Sequence, residues 1–391
     1  MARILRLLMI GLCLALLGCS DALTSIPSST ASAPAPPIRR EAPTAAASAP
    51  TAAPGPAATL TARPQPAPTA TPLPTAAPTV LPSATPAPTL MPAFSYPIGR
   101  PGQPPGDGFF IRHGYATENT WYNPGWWHTG EDWYAIEGDT AGAQVYAIAD
   151  GQVVYAGANY PGRVVIVQHA ADLFSMYGHL DPRLAVQVGQ RVARGDLIGT
   201  VLRRSDRVPN HLHFEVRTFL TSGSVNGDAP RYGYRCGVRC PPGPGYWPID
   251  APEHPSQLGW RNPTHVINRR MFAPGASEAV IAAARPASDT LMLWSLPPDV
   301  PGRQPVGELK PQPGERYPLL GVWAGPEAME ETSAQGYRLW YRIQTSDGQE
   351  GWVQAAVPSA FETGGDGRPS SIYFNFFPAI EVEPTSAGHN D

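Results

Sequence analysis

Four of the nine histidines fall in three short motifs: H-T-G-E-D at 128–132, Y-G-H-L at 177–180 and H-L-H-F-E at 211–215. Two imidazoles and one carboxylate suffice as protein ligands for a catalytic Zn²⁺, whose fourth position stays open to water. His128, Asp132 and one histidine of the third motif supply that set. An imidazole with an ordinary pKa near about 6.5 is suited to take and return a proton at neutral pH, so a histidine that holds no metal can serve as general base.

Such side chains need rigid elements to converge. Residues 210–217, N-H-L-H-F-E-V-R, alternate polar and apolar, and successive strand side chains point to opposite faces. Leu212, Phe214 and Val216 are expected to face a core, with His211, His213 and Glu215 together on the other face. The runs 145–157 and 163–169 are apolar, β-branched and bounded by Gly, Asn and Pro, which reads as strands joined by turns. Residues 188–199 place Gly at turn positions. No long 3.6-residue period appears between 94 and 220. A mainly β, antiparallel core with the metal cleft on one sheet face is expected, and His169 is expected to be a strand-end residue rather than part of the site.

The three motifs resemble the lysostaphin-type, or LytM-like, zinc endopeptidases that cut peptidoglycan cross-links. The resemblance covers about 94–220, with W-R-N-P-T-H-V-I at 260–267 resembling the closing segment of that family. It implies one Zn²⁺ per chain, held by His128, Asp132 and His213. It also implies that His211 deprotonates the attacking water while His179 orients it or steadies the tetrahedral intermediate. Activity would then fall under mildly acidic conditions. The family usually has a Ser/Thr-Gly turn before H-x-H, whereas this chain has R-R-S-D-R-V-P-N at 203–210 without Gly. Peptidoglycan is the implied substrate, and a silent relative that activates another wall hydrolase is the rival reading.

Residues 1–19 carry Arg3 and Arg6, an apolar run and L-L-G-C, which resembles a bacterial lipoprotein signal. Cleavage before Cys19 would leave that residue lipid-modified, anchoring the chain to the outer side of a bacterial membrane. An ordinary secretory signal or uncleaved anchor is the alternative. Residues 20–93 are almost wholly Ala, Pro, Thr and Ser, with too few large apolar groups to offset ordering entropy. This reads as a disordered stalk, and roughly 70 residues of polyproline II would reach on the order of 200 Å when extended. The formal charge of −4 gives no case for nucleic-acid binding. A regulatory protein partner is the remaining kind of partner to consider.

A metallopeptidase domain is expected at 94–267, with a Gly/Pro/Tyr-rich insertion at 221–258. Within the insertion Cys236 and Cys240 are candidates for a small disulfide loop, with free thiols or half of a second metal site as alternatives. Tyr232, Tyr234, Tyr246 and Trp247 are expected to pack on the insertion itself, lining a substrate groove being the alternative. Four strand-like runs follow in 274–358. The passage W-Y-R-I-Q-T-S-D-G-Q-E-G-W-V, with Trp340 and Trp352, resembles bacterial Src-homology-3-like wall-binding domains. The tail 359–391 includes an apolar run at 372–378 expected to pack back as an edge strand.

Overall fold

Alternating apolar residues organise this chain into strands. The computed structural model describes residues 94–379 except 121–122, 161, 206, 232–240, 272–277, 284–285, 331–335 and 364–368. The signal with Cys19, the Pro-rich segment, Cys236, Cys240, Tyr232 and Tyr234 lie outside the described residues. What is described is mainly β and antiparallel, with two helices, Pro255–Leu258 and Pro263–Met271. None of its helices is long and apolar enough to cross a membrane.

The strand Leu212–Arg217 sits between Leu173–Leu180 and Glu131–Ala135, so each of the three motifs contributes to neighbouring strands of one sheet. Register places His213 opposite both Asp132 and Gly178. Leu212, Phe214 and Val216 point into the main core, as the alternation requires. The polar face is sealed as well: Glu215 and Arg217 have no exposed surface. On the outer side, Gly151–Tyr160 and Gly162–Ala170 continue the sheet. His169 lies at the end of this region and is structural, its Nδ1 2.8 Å from Asp150 O and its Nε2 2.8 Å from Ser175 Oγ.

Beyond Glu131–Ala135 the sheet passes through Phe109–His113 to Pro369–Phe374, then to Glu350–Thr363, Leu339–Gln344 and Arg316–Ala324. The segment 372–378 is split: Phe376–Pro378 pairs with Glu278–Ile281 and ends the sheet among the described residues, as expected of an edge strand, whereas Pro369–Phe374 has a strand on each side, through Ile111↔Ile372 and Pro358↔Ile372. Its aromatic residues explain the difference. Phe374 stacks on Trp133 at 5.5 Å and 12° and meets Tyr96 edge-on at 5.4 Å, burial that an edge position would forfeit.

The helix Pro263–Met271 follows from its local sequence. Asn262 Oδ1 accepts the His265 N–H at 2.9 Å as an N-cap, and Pro263 occupies the first helical position, where its missing N–H matters least. Phe374→Ala is expected to destabilise the chain by about 3–5 kcal/mol, the usual range for emptying a fully packed aromatic site. Urea unfolding would measure it, and a change below about 1 kcal/mol would show that the tail contributes little to the core.

Candidate active site

Three ligand-type atoms meet in a buried triangle. His128 Nε2 lies 3.0 Å from His213 Nδ1 and 3.2 Å from Asp132 Oδ1, and His213 Nδ1 lies 3.1 Å from the same oxygen. A tetrahedral ion with bonds of about 2.0–2.1 Å spaces its ligands about 3.3 Å apart, so these distances suit one face of a zinc site. The outward nitrogens agree with that arrangement. Gly114 O is 3.3 Å from His128 Nδ1 and Glu215 Oε1 is 3.1 Å from His213 Nε2; both oxygens accept, so an N–H sits there and the inner nitrogens are the ones turned towards the triangle. His128, Asp132 and His213 are all buried, and they are the group of ligand-type side chains found together among the described residues.

Electrostatics points the same way. Burial raises the pKa of Asp132, but the neighbouring His128 and His211 outweigh it and hold the carboxyl well below the usual range. Burial likewise opposes charge on His213, yet its hydrogen bonds to Asp132 and Glu215 push its pKa up to about 9. The triangle thus attracts a cation.

His211 stands beside it, with Nε2 3.7 Å from Asp132 Oδ1. Pro209 O accepts from Nδ1 at 2.8 Å, which leaves the Nε2 lone pair facing the site. Tyr134 lies against the ring at 4.9 Å and 23°, with its hydroxyl 3.1 Å from Nδ1. Burial lowers the pKa of His211, Asp132 partly opposing it, so the ring is poised to accept a proton. The His179 ring meets His211 edge-on at 4.6 Å and lies 6.3 Å from His213. Its backbone φ is +59°, a left-handed conformation that costs a non-glycine residue roughly 1–2 kcal/mol. The Leu202 N–H to His179 O bond at 2.8 Å helps to hold it.

Several contributors stand outside the five expected residues. Glu215 receives Thr129 Oγ1 at 2.7 Å and Trp260 Nε1 at 2.9 Å, and its Oε2 lies 3.5 Å from Arg217. Its place two residues after His213 on the same strand face was a legible signal. Tyr134 stands two residues after Asp132 in the same way. His113 pairs in register with Asp132, its ring 6.5 Å from His128, and burial lowers its pKa to about 4.

The insertion reaches the site through the strand Tyr246–Pro248, which pairs with Asn123–His128 and sets Tyr246 opposite His128, ring centroids 5.3 Å apart. Tyr246 therefore borders the site, while Trp247 packs inward and donates to Glu253 O at 3.0 Å. The turn before H-x-H needs no glycine: the Arg204 N–H donates to Asn210 Oδ1 at 2.7 Å, and Asn210 Nδ2 donates to Asp139 at 2.9 Å. Gly130 is required for another reason. A Cβ there would run into the carbonyl oxygen of Phe214 and approach Glu215 Cγ to 2.9 Å, in the strand that carries His213.

Gly130→Ala should accordingly cost about 1–3 kcal/mol and weaken divalent-metal binding, because the strands carrying the triangle must separate. Thermal melting and zinc titration would check both, and unchanged values would contradict the close fit. In the metal-free chain the raised His213 pKa contributes stability below about pH 6.5 that is lost as pH rises through about 9. A metal must displace that proton, so apparent zinc affinity should rise from pH 6.5 to 9, with proton uptake by the buffer at pH 7.5 in calorimetry. Affinity independent of pH across that window would refute the linkage.

The profile of Peptidase family M23 matches residues 127–228. The cell division protein DipM of Caulobacter vibrioides is 37% identical over 78 residues, which are 19% of this chain and 13% of that protein. The peptidoglycan DD-endopeptidase ShyC of Vibrio cholerae is 34% identical over 97 residues, 25% of this chain and 21% of its own length. The lipoprotein NlpD of Yersinia enterocolitica is 37% identical over 84 residues, 19% of this chain and 78% of its own length. This chain thus spans well under a quarter of the first two relatives and more than three quarters of the third. With the histidine motifs of the site inside the matched span, the chain belongs to peptidase family M23.

Proposed function

We propose that this chain is a zinc metalloendopeptidase that hydrolyses peptide bonds in the stem peptides or cross-bridges of peptidoglycan. The observation that carries this reading is the buried triangle of His128, Asp132 and His213 donor atoms with the His211 Nε2 lone pair beside it. Membership of a peptidase family and the likeness to a protein named as a peptidoglycan endopeptidase support the reaction class.

His128, Asp132 and His213 would hold one Zn²⁺, which when bound supplies Lewis-acid polarisation of the scissile carbonyl and of the attacking water. His211 takes the proton of that water at Nε2 and returns it to the leaving amine, its Nδ1–H remaining on Pro209 O. His179 orients the water or donates to the carbonyl oxygen as negative charge develops there. Tyr134 holds the His211 ring plane.

The same reading places the enzyme in the cell envelope. Lipid at Cys19 would anchor it, residues 20–93 would space it from the membrane, and a Src-homology-3-like unit at 274–358 would engage the wall. The likeness to a protein named as a lipoprotein supports the anchor. A second reading, that of a catalytically silent lipoprotein that activates another hydrolase, is supported by the likeness to proteins named as a cell division protein and a lipoprotein.

Zinc analysis and digestion of purified peptidoglycan by the full chain separate the two. The wild type should bind about one Zn²⁺ and digest; His211→Ala should keep the metal and lose activity by about 10²-fold or more, the usual share of a general base. Asp132→Ala should lose the metal. A wild type that binds zinc, digests nothing and stimulates a separate hydrolase would establish the second reading instead.

A further inference from the structure

Away from the histidines, one face of the sheet formed by Arg316–Ala324, Leu339–Gln344, Glu350–Thr363 and Leu291–Trp294 carries a row of indoles. Trp323 stands opposite Trp340, and Trp294 opposite Trp352. Trp294 and Trp340 already hold the Arg303 guanidinium between them, its carbon 3.9 and 4.3 Å from the two ring centroids. Trp323 instead lines a cleft of about 500 Å³ together with Arg269, Asp299, Glu327 and Arg338. That volume falls within the usual range for small-ligand sites.

The rim is built from matched charges. Arg338 lies 3.6 Å from Asp299, with 41% and 60% of their side-chain surfaces exposed. Glu327 pairs with Arg270, and Arg269 donates to Ala324 O and Gly325 O at 3.1 and 3.2 Å. The two guanidinium and two carboxylate groups that line the cleft are thus each engaged with protein partners. The cleft offers the apolar indole of Trp323 together with both donors and acceptors. That combination suits a neutral polyhydroxylated ring: its C–H face lies on the indole and its equatorial hydroxyls reach the guanidinium and carboxylate groups.

We propose that the Trp323 cleft binds a neutral pyranose sugar, which in this protein is a unit of the glycan strand. The identity of the strand rests on the peptidoglycan reading above; the sugar preference rests on the cleft. A stem peptide, carrying free carboxylates, is disfavoured because the guanidinium groups of the rim already have partners, Arg338 on Asp299 and Arg269 on two backbone carbonyls. Arg269 belongs to the helix Pro263–Met271 that also packs behind the metal site, so a sugar bound here is held by the body that carries the histidines.

The test uses the full chain carrying His211→Ala, so that binding is read without hydrolysis, and a β-1,4-linked N-acetylglucosamine tetramer as probe. Tryptophan fluorescence and calorimetry should show saturable binding, weakened about tenfold or more by Trp323→Ala. Asp299→Asn provides the second variant: Asp299 has φ +69°, which Asn tolerates, so the fold is kept while one acceptor is changed, and it too should weaken binding. In the otherwise wild-type chain, both substitutions should leave cleavage of a sugar-free cross-linked stem peptide unchanged and slow digestion of intact wall. No binding at millimolar tetramer, equal binding by the Trp323 variant, or displacement of the tetramer by a free stem peptide would overturn the proposal. Loss of peptide cleavage in the wild type with sugar binding intact would instead overturn the enzyme reading and leave the sugar site standing.

Discussion

The structure turns on a carboxylate removed from water. Asp132 is 3% exposed, and an ionised group so placed needs opposite charge close by. His128, His211 and His213 surround it, and Gly114 O, Pro209 O and Glu215 tie down their far nitrogens. His128 and His211 are thereby committed to one tautomer before any ion or substrate arrives, and His213 keeps its outer N–H on Glu215 while its inner proton waits to be displaced. Preorganisation of this kind matters more than the number of ligands, because a ring free to flip would present the wrong nitrogen half the time. The carbonyl acceptors, of Gly114 and Pro209, lie one and three residues outside the strands Phe109–His113 and Leu212–Arg217, so tautomer selection follows from the fold.

Glu131, next to Asp132, ties that arrangement to the rest of the molecule. It is fully buried, and burial raises its pKa to about 7 despite hydrogen bonds from Thr264, Tyr337 and Trp133. Thr264 donates to it from both its backbone N–H at 3.0 Å and its hydroxyl at 2.7 Å, at the start of the helix Pro263–Met271, where a carboxylate also meets the positive end of the helix. Tyr337 hydrogen-bonds to the Tyr115 N–H at 2.5 Å, and Asn268 of the same helix receives Tyr341 at 2.7 Å. Strands before and after the helix therefore share one polar network behind the candidate metal ligands. Residues 372–378 add an apolar counterpart, with Phe374 stacked on Trp133 in the strand that carries Asp132.

How much of this was legible in the sequence depends on the range of each interaction. The two-residue period at 212–217 is local, so it was enough to put His211, His213 and Glu215 on one face, and the same rule relates Tyr134 to Asp132. The sealing of that face was not legible, because Trp260 reaches Glu215 from 45 positions away and Arg217 donates to Pro242 O across 25. Glu131 reads as one more acid in H-T-G-E-D until Thr264, 133 residues later, is seen to need it. The left-handed φ of His179 is equally silent in sequence, since the enrichment of histidine in that region is too weak to single out one histidine of nine. The edge position expected for 372–378 was a local inference from an apolar run. It holds for Phe376–Pro378, which ends the sheet, and fails for Pro369–Phe374, where burial on both sides outweighs a free edge.

The insertion shows how a long loop can border a rigid site without loosening it. A Gly- and Pro-rich stretch has little core of its own and would be expected to move. Arg217, at the end of the strand that carries His213, donates to the carbonyls of Pro241 and Pro242, and Asn226 donates to Pro241 O at 2.7 Å. Arg217 has no exposed surface, so those bonds form where water cannot compete. The described ends of the insertion are thus pinned to the strand that supplies a metal-ligand candidate, and Tyr246–Pro248 is left to pair with the strand that ends in His128. Tyr246 is consequently positioned by the two strands that bear His128 and His213, and any displacement of one wall of the cleft must also displace a histidine. A wall coupled in this way cannot yield to a poorly fitting ligand without disturbing the histidines beside it.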